Sequence, residues 1–152
     1  MRSLLLNLRG DTLGLLRNSR LGRGMVADKK ISSGGPWEAS IGYSRAVVAG
    51  PFVHVSGSTA TVNGEVQYSG DAYSQTRVAF EVIEKALREA GHSLADVVRT
   101  RMYVADTADM DAVGRAHGEL FGDIRPAATM IAGIKFINPA MLVEIEVDSY
   151  KI

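Results

Sequence analysis

Residues 71–104 read DAYSQTRVAFEVIEKALREAGHSLADVVRTRMYV, and within them the apolar period changes from helical spacing to strict alternation. Thr76, Ala79, Phe80, Ile83, Leu87 and Ala90 fall on one helical stripe, while Glu81, Glu84, Lys85, Arg88 and Glu89 face elsewhere. Gly91 stands where such a helix ends. From Val97 to Val104 the pattern alternates, with Val98, Thr100, Met102 and Val104 on one face and Arg99, Arg101 and Tyr103 on the other. A helix running into a strand with one apolar face predicts a sheet with helices layered on it.

Outward from this stretch the same grammar repeats. Asp106 or Thr107 caps a second helix that sends Met110, Val113, Leu120 and Phe121 to the core, and Gly122 closes it. Two last strands, 127–134 and 142–150, are separated by Asn138-Pro139. On the N-terminal side, Ala46-Val47-Val48 and Phe52-Val53-His54-Val55-Ser56 are joined by the turn Ala49-Gly50-Pro51. Asn63-Gly64, the strongest two-residue hairpin signal, joins Ala60-Thr61-Val62 to Glu65-Val66-Gln67-Tyr68. The order is βββαβαββ: an α+β fold, with a mixed sheet and two helices on one face.

The chain has 152 residues, 46% of them hydrophobic, which suits one domain with a real core. It contains no cysteine, so disulfides, thiolate metal sites and cysteine nucleophiles are excluded. No apolar run approaches the roughly 20 residues of a membrane span, and the expected location is cytoplasmic. Seventeen Lys and Arg balance seventeen Asp and Glu, but the balance is uneven along the chain. Residues 1–24 carry five arginines against Asp11, a charge of +4, which leaves −4 for residues 25–152. Residues 1–35 therefore read as an N-terminal extension and linker ending in Ser32-Ser33-Gly34-Gly35-Pro36, with Met25 an alternative start, and 36–152 as the domain. An acidic domain without a dense basic stretch gives no surface for nucleic acid.

The sheet face away from the helices needs an explanation. Glu144, Glu146 and Asp148 alternate with Val143, Ile145 and Val147 on the last strand, as Arg99 and Arg101 do on the earlier one. Such a face is either solvated or a subunit interface, and Trp37, Tyr43, Phe52 and Tyr103 add aromatic bulk in favour of the second. His54, His92 and His117 share no ligand spacing, so no metal site is expected. Ser56-Gly57-Ser58 lacks the nucleophile elbow of serine hydrolases.

Six strings carry a more specific signal: Gly42-Tyr43-Ser44-Arg45-Ala46, Val55-Ser56-Gly57, Asp96-Val97-Val98-Arg99-Thr100, Val104-Ala105-Asp106, Arg125-Pro126-Ala127-Ala128-Thr129 and Val143-Glu144-Ile145-Glu146. From about Trp37 to Tyr150 the chain resembles the Rid family, also called the YjgF or reactive-intermediate deaminase family. The resemblance implies a chorismate-mutase-like fold and a homotrimer with small-molecule clefts between subunits. It implies hydrolysis of an imine or enamine to a carbonyl compound and ammonia, without cofactor or metal.

Position by position, the resemblance makes Tyr43 the cleft tyrosine and Glu144 the acid that positions the attacking water. It assigns Ser56, Gly57, Thr129 and the Met130 backbone to the substrate. Two positions depart from it. Active members carry an arginine where Ala128 stands, gripping the substrate carboxylate, and tend to carry an asparagine where Gly114 stands. A bidentate guanidinium contributes charge-assisted bonds of about 1.5–3 kcal/mol each, so the usual 2-imino acid activity does not carry over. Arg101 and Arg45 are the cations able to stand in, unless they pair with Glu144, Glu146 or Asp148. A non-catalytic trimeric binding protein is the alternative function.

Overall fold

The computed structural model describes residues 29–152. Six strands form one sheet: β1 (Lys29–Ile31), β2 (Ala46–Ala49), β3 (Phe52–Ser58), β6 (Val97–Val104), β7 (Ala127–Ala132) and β8 (Val143–Tyr150). Between β3 and β6 the chain adds β4 (Thr61–Val62), β5 (Glu65–Val66) and helix α1 (Ala72–Glu89); helix α2 (Met110–Phe121) links β6 to β7. The sheet order is β1-β2-β3-β8-β6-β7. All pairs are antiparallel except β6 with β7, whose parallel pairing requires the crossover that α2 supplies.

The α+β class with both helices on one face is the arrangement observed. Phe80, Ile83 and Leu87 of α1 and Val113 and Phe121 of α2 share one core with Val53, Val55, Met102, Val104, Val143, Ile145 and Val147 of the sheet. Phe80 meets Phe121 edge-on at 5.1 Å, a favoured aromatic geometry. Asp71 caps α1 by accepting from the Ser74 backbone N–H at 3.0 Å. Gly91 follows that helix at φ +83°, a conformation that only glycine adopts freely.

Several details differ from the sequence reading. The Asn63-Gly64 hairpin forms, with φ of +51° and +84°, but β4 and β5 make a separate two-stranded sheet. The third N-terminal strand of the main sheet is instead β1, at the end of the expected extension; Ile31 is buried while two lysines hide the apolar signal. Residues 1–28 of that extension, the cationic segment and Met25 among them, lie outside the described residues.

In β6 the register against β8 slips between Val97 and Arg99, so Val97 takes the buried place and Val98 turns outward, 43% exposed. Ala116 is buried in α2, whereas Leu120 packs at the margin of the core. Gly122 keeps right-handed helical geometry, and the left-handed residue comes later, at Arg125 (φ +53°).

Gln75 is a fully buried polar residue on the apolar face of α1. Its amide nitrogen donates to the Gln67, Tyr68 and Ala140 carbonyls, and its oxygen accepts from the Leu142 N–H at 2.8 Å. One side chain thus ties the β4–β5 hairpin to the start of β8, the strand that carries Glu144. Gln75→Met conserves volume and strands the Leu142 N–H together with several carbonyls. Urea unfolding is expected to show a loss of about 1–3 kcal/mol with unchanged slope.

Candidate functional site

Strand alternation fixes the orientation of Glu144. Val143, Ile145 and Val147 are buried, so Glu144, Glu146 and Asp148 project from the uncovered face. Across β6, Arg101 stands opposite Glu146, with its guanidinium 3.6 Å from Glu146 and 3.1 Å from Asp148. Asp148 also receives Arg99 at 4.0 Å and His54 Nδ1 at 2.8 Å. Opposite Glu144 stands Tyr103, so among the described residues this acid has no ion-pair partner.

The backbone beside Glu144 is irregular for a reason. Strand β3 pairs with β8 at Val55–Val147 and again at Ser58–Ile145, three steps along one strand against two along the other. The extra residue makes a bulge at Ser56-Gly57. Arg45 Nη1 holds it, donating to Ser56 O at 3.0 Å, Gly57 O at 2.6 Å and Ser58 Oγ at 2.9 Å. Ser56 returns its hydroxyl to Ser44 O at 2.7 Å and its N–H to Arg45 O at 3.0 Å. The Tyr43 ring centroid lies 5.8 Å from the same guanidinium. Tyr43, Ser56, Gly57 and Glu144 are therefore gathered around one arginine.

Gly57 sets how closely the Glu144 carboxyl approaches this backbone. A Cβ on it would stand 2.8 Å from Glu144 Cδ and 3.1 Å from Cγ, closer than packed atoms tolerate. Pressed against this backbone, Glu144 is half-buried, and burial raises its pKa above the ordinary carboxylate value. Neighbouring Glu146 adds to the rise and the Arg45 charge opposes it.

The remaining expected site residues form a second group on β7. Thr129 stands opposite Arg101, Met130 opposite Met102 and Ala128 opposite Thr100. Gly114 of α2 backs this group, where an added Cβ would meet only Met130 Cε, at 3.9 Å. Ala128 and Thr129 are exposed. Strand β6 separates β7 from β8, which puts Glu144 two strand spacings, roughly 10 Å, from this group within one chain, and Ser56-Gly57 on β3 one spacing further.

Neither candidate cation is free. Arg101 is engaged by Glu146 and Asp148, and Arg45 by three neutral oxygens rather than by the acids expected as its partners. The bulge clamp was not anticipated from sequence, although a glycine inside a strand, as in Ser56-Gly57-Ser58, is the usual sign of such an irregularity.

The fold and site together define an α+β domain whose uncovered sheet face carries a half-buried carboxyl, without an ion pair among the described residues, behind a glycine bulge. Residues 36–151 match the family model described as Endoribonuclease L-PSP, and the chain belongs to that family, the YjgF or Rid family. It is 44% identical over 125 residues to the uncharacterised protein SCO2049 of Streptomyces coelicolor, covering 82% of this chain and 93% of that one. It is 36% identical over 104 residues to the 3-aminoacrylate deaminase RutC of Acinetobacter baylyi, covering 68% and 82%. The crystal structure of Rv2704 from Mycobacterium tuberculosis, a member of the YjgF/YER057c/UK114 family, superposes with a TM-score of 0.73 at 46% identity, over 81% of this chain and 98% of that one.

The state of Glu144 sets a pH dependence. A carboxyl whose folded pKa is raised favours folding fully only below its unfolded value, and that contribution is lost as pH rises through the folded pKa. Glu144→Gln removes the buried charge. In thermal melts it is expected to be the more stable protein at pH 7, with the difference vanishing below the ordinary value near 4.5.

Gly57→Ala pushes the carboxylate outward into water. Carbon-detected NMR titration of Glu144 should show its pKa falling toward that same ordinary value.

Proposed function

We propose that the protein binds a small molecule beside Glu144, in a cleft completed by a neighbouring subunit of a homotrimer, and hydrolyses a C=N bond there. The observation carrying this reading is Glu144 itself: a carboxyl without an ion pair among the described residues, with raised proton affinity, beside the clamped Ser56-Gly57 backbone. Such a group takes up a proton and returns it more readily than an ordinary exposed carboxylate. The similarity to a 3-aminoacrylate deaminase supports the reaction class.

In the proposed reaction, the imine takes a proton from solvent, and water adds to the carbon of the resulting iminium while Glu144 accepts one proton of that water. The carbinolamine that forms then loses ammonia: Glu144 returns its proton to the nitrogen, the C–N bond breaks, and the hydroxyl oxygen becomes the carbonyl of the product as its proton returns to solvent. One water is consumed and one ammonia released. Tyr43, Ser56 and the Gly57 backbone line the carboxyl side of the cleft. Thr129, Met130 and Gly114, from a neighbouring subunit, supply the other wall.

The substrate carries no carboxylate at the position gripped by arginine in active relatives. Ala128 offers a methyl group, while Arg101 and Arg45 are already engaged. Each lost charge-assisted bond costs about 1.5–3 kcal/mol, or one to two powers of ten in affinity.

Ammonia release from a neutral imine and from 2-aminoacrylate generated in situ tests the proposal. The neutral imine is expected to turn over, Glu144→Gln to slow it by about 10²–10⁴, and 2-aminoacrylate to require Ala128→Arg. Equal turnover of 2-aminoacrylate by the unmodified protein overturns the substrate class. Ligands that raise the melting temperature without being converted favour the non-catalytic alternative. A monomer at micromolar concentration overturns the inter-subunit cleft.

A further inference from the structure

Resting on the Glu144 reading above, we propose that Arg45 is a positioning residue: by clamping the β3 bulge it fixes the Gly57 backbone that seats the Glu144 carboxyl. One Nη1 bonds to oxygens of three consecutive residues, Ser56, Gly57 and Ser58. A bulge leaves ladder groups unpaired, and these bonds satisfy two of its carbonyls where the register slips from Val55–Val147 to Ser58–Ile145. The clamped residue is the one whose Cα faces Glu144 so closely that no side chain fits between them. A shift of the bulge therefore becomes a shift of the carboxyl.

The clamp is a poor device for stability alone. Among the described residues, Arg45 Nε is buried without a hydrogen-bond partner, and Nη1 bonds only neutral oxygens. Buried cations are ordinarily paired with an acid. Here the positive charge acts at longer range on Glu144, the one acid of its row on β8 without an ion pair among the described residues. The other groups disposed about it are Glu146, whose charge faces Arg101, Tyr103, opposite Glu144 in the register, and Tyr43, stacked on the Arg45 guanidinium. Arg45 also lies under Tyr43, so the same guanidinium sets two walls of the cleft.

Arg45→Met and Arg45→Lys separate this role from a structural one. In Arg45→Met the amide signals of Ser56, Gly57 and Ser58 should shift, and Glu144 should titrate at higher pH because the opposing charge is gone. On the neutral imine, kcat should fall about 10–100-fold with little change in KM, the scale expected for a misplaced group. A lysine ammonium reaches the same carbonyls and keeps the charge, so Arg45→Lys should return both NMR signatures toward the parent and recover most of kcat.

A folded Arg45→Met with parental amide signals and Glu144 titration overturns the proposal, as does unchanged kcat with only a lower melting temperature. If Arg45→Met does not fold, Arg45→Lys decides: a fold regained without the parental Glu144 titration also overturns it. If the parent converts no imine, the hydrolase reading fails, and the amide and carboxyl signals test the clamp by themselves.

Discussion

Two helices can cover one face of a six-stranded sheet and no more, and most of this molecule follows from that restriction. Every strand crossing the core must be apolar on one side only, which is why β8 alternates without a fault from Val143 to Ser149. The covered side closes around Phe80, Phe121 and the central valines. The uncovered side is left to carry charge, and its chemistry begins there.

On that side the charges are arranged by register. Arg99 and Arg101 on β6 meet Asp148 and Glu146 on β8, and His54 on β3 reaches Asp148 from the other flank. Pairs this exposed contribute little each, about 0–1 kcal/mol. Their effect is on selection more than on stability: they bind up the cations and leave Glu144 as the acid opposite a tyrosine. The lattice of pairs ends at Glu146, the residue opposite the bulge, and Glu144, one row further on, reaches back to Gly57 with no ion pair among the described residues.

The parts legible in sequence are those written in periodicity or in turn chemistry. The stripe from Thr76 to Leu87 and the Asn63-Gly64 turn both form where expected, because a long apolar period and a left-handed turn leave few alternatives. Strand β1 escaped because three residues with two lysines carry no period, and its pairing with β2 is decided by tertiary contact at Ile31. Gln75 escaped for the opposite reason: a polar residue in an apolar stripe looks like an interruption, whereas its four bonds make it a junction. The same holds at the site. Glu144 and Gly57 were found through resemblance, but their mutual contact depends on a one-residue slip that no periodicity records. That slip is also what gives Arg45 a role other than ion pairing.

The site runs against the stability of the fold that bears it. A half-buried carboxylate, a glycine that weakens its strand and a buried guanidinium nitrogen without a partner among the described residues each cost folding free energy. Three such features, all within one bulge and the two residues it touches, are not what selection for a tighter domain would assemble. Where local rules are broken together, function is the usual cause. The compensation lies across β8 in the apolar layer, where Ile145 and Val147 are fully buried and anchor the strand from beneath. Alternation lets one strand do both, holding the core with one set of side chains and presenting the half-buried Glu144 with the next.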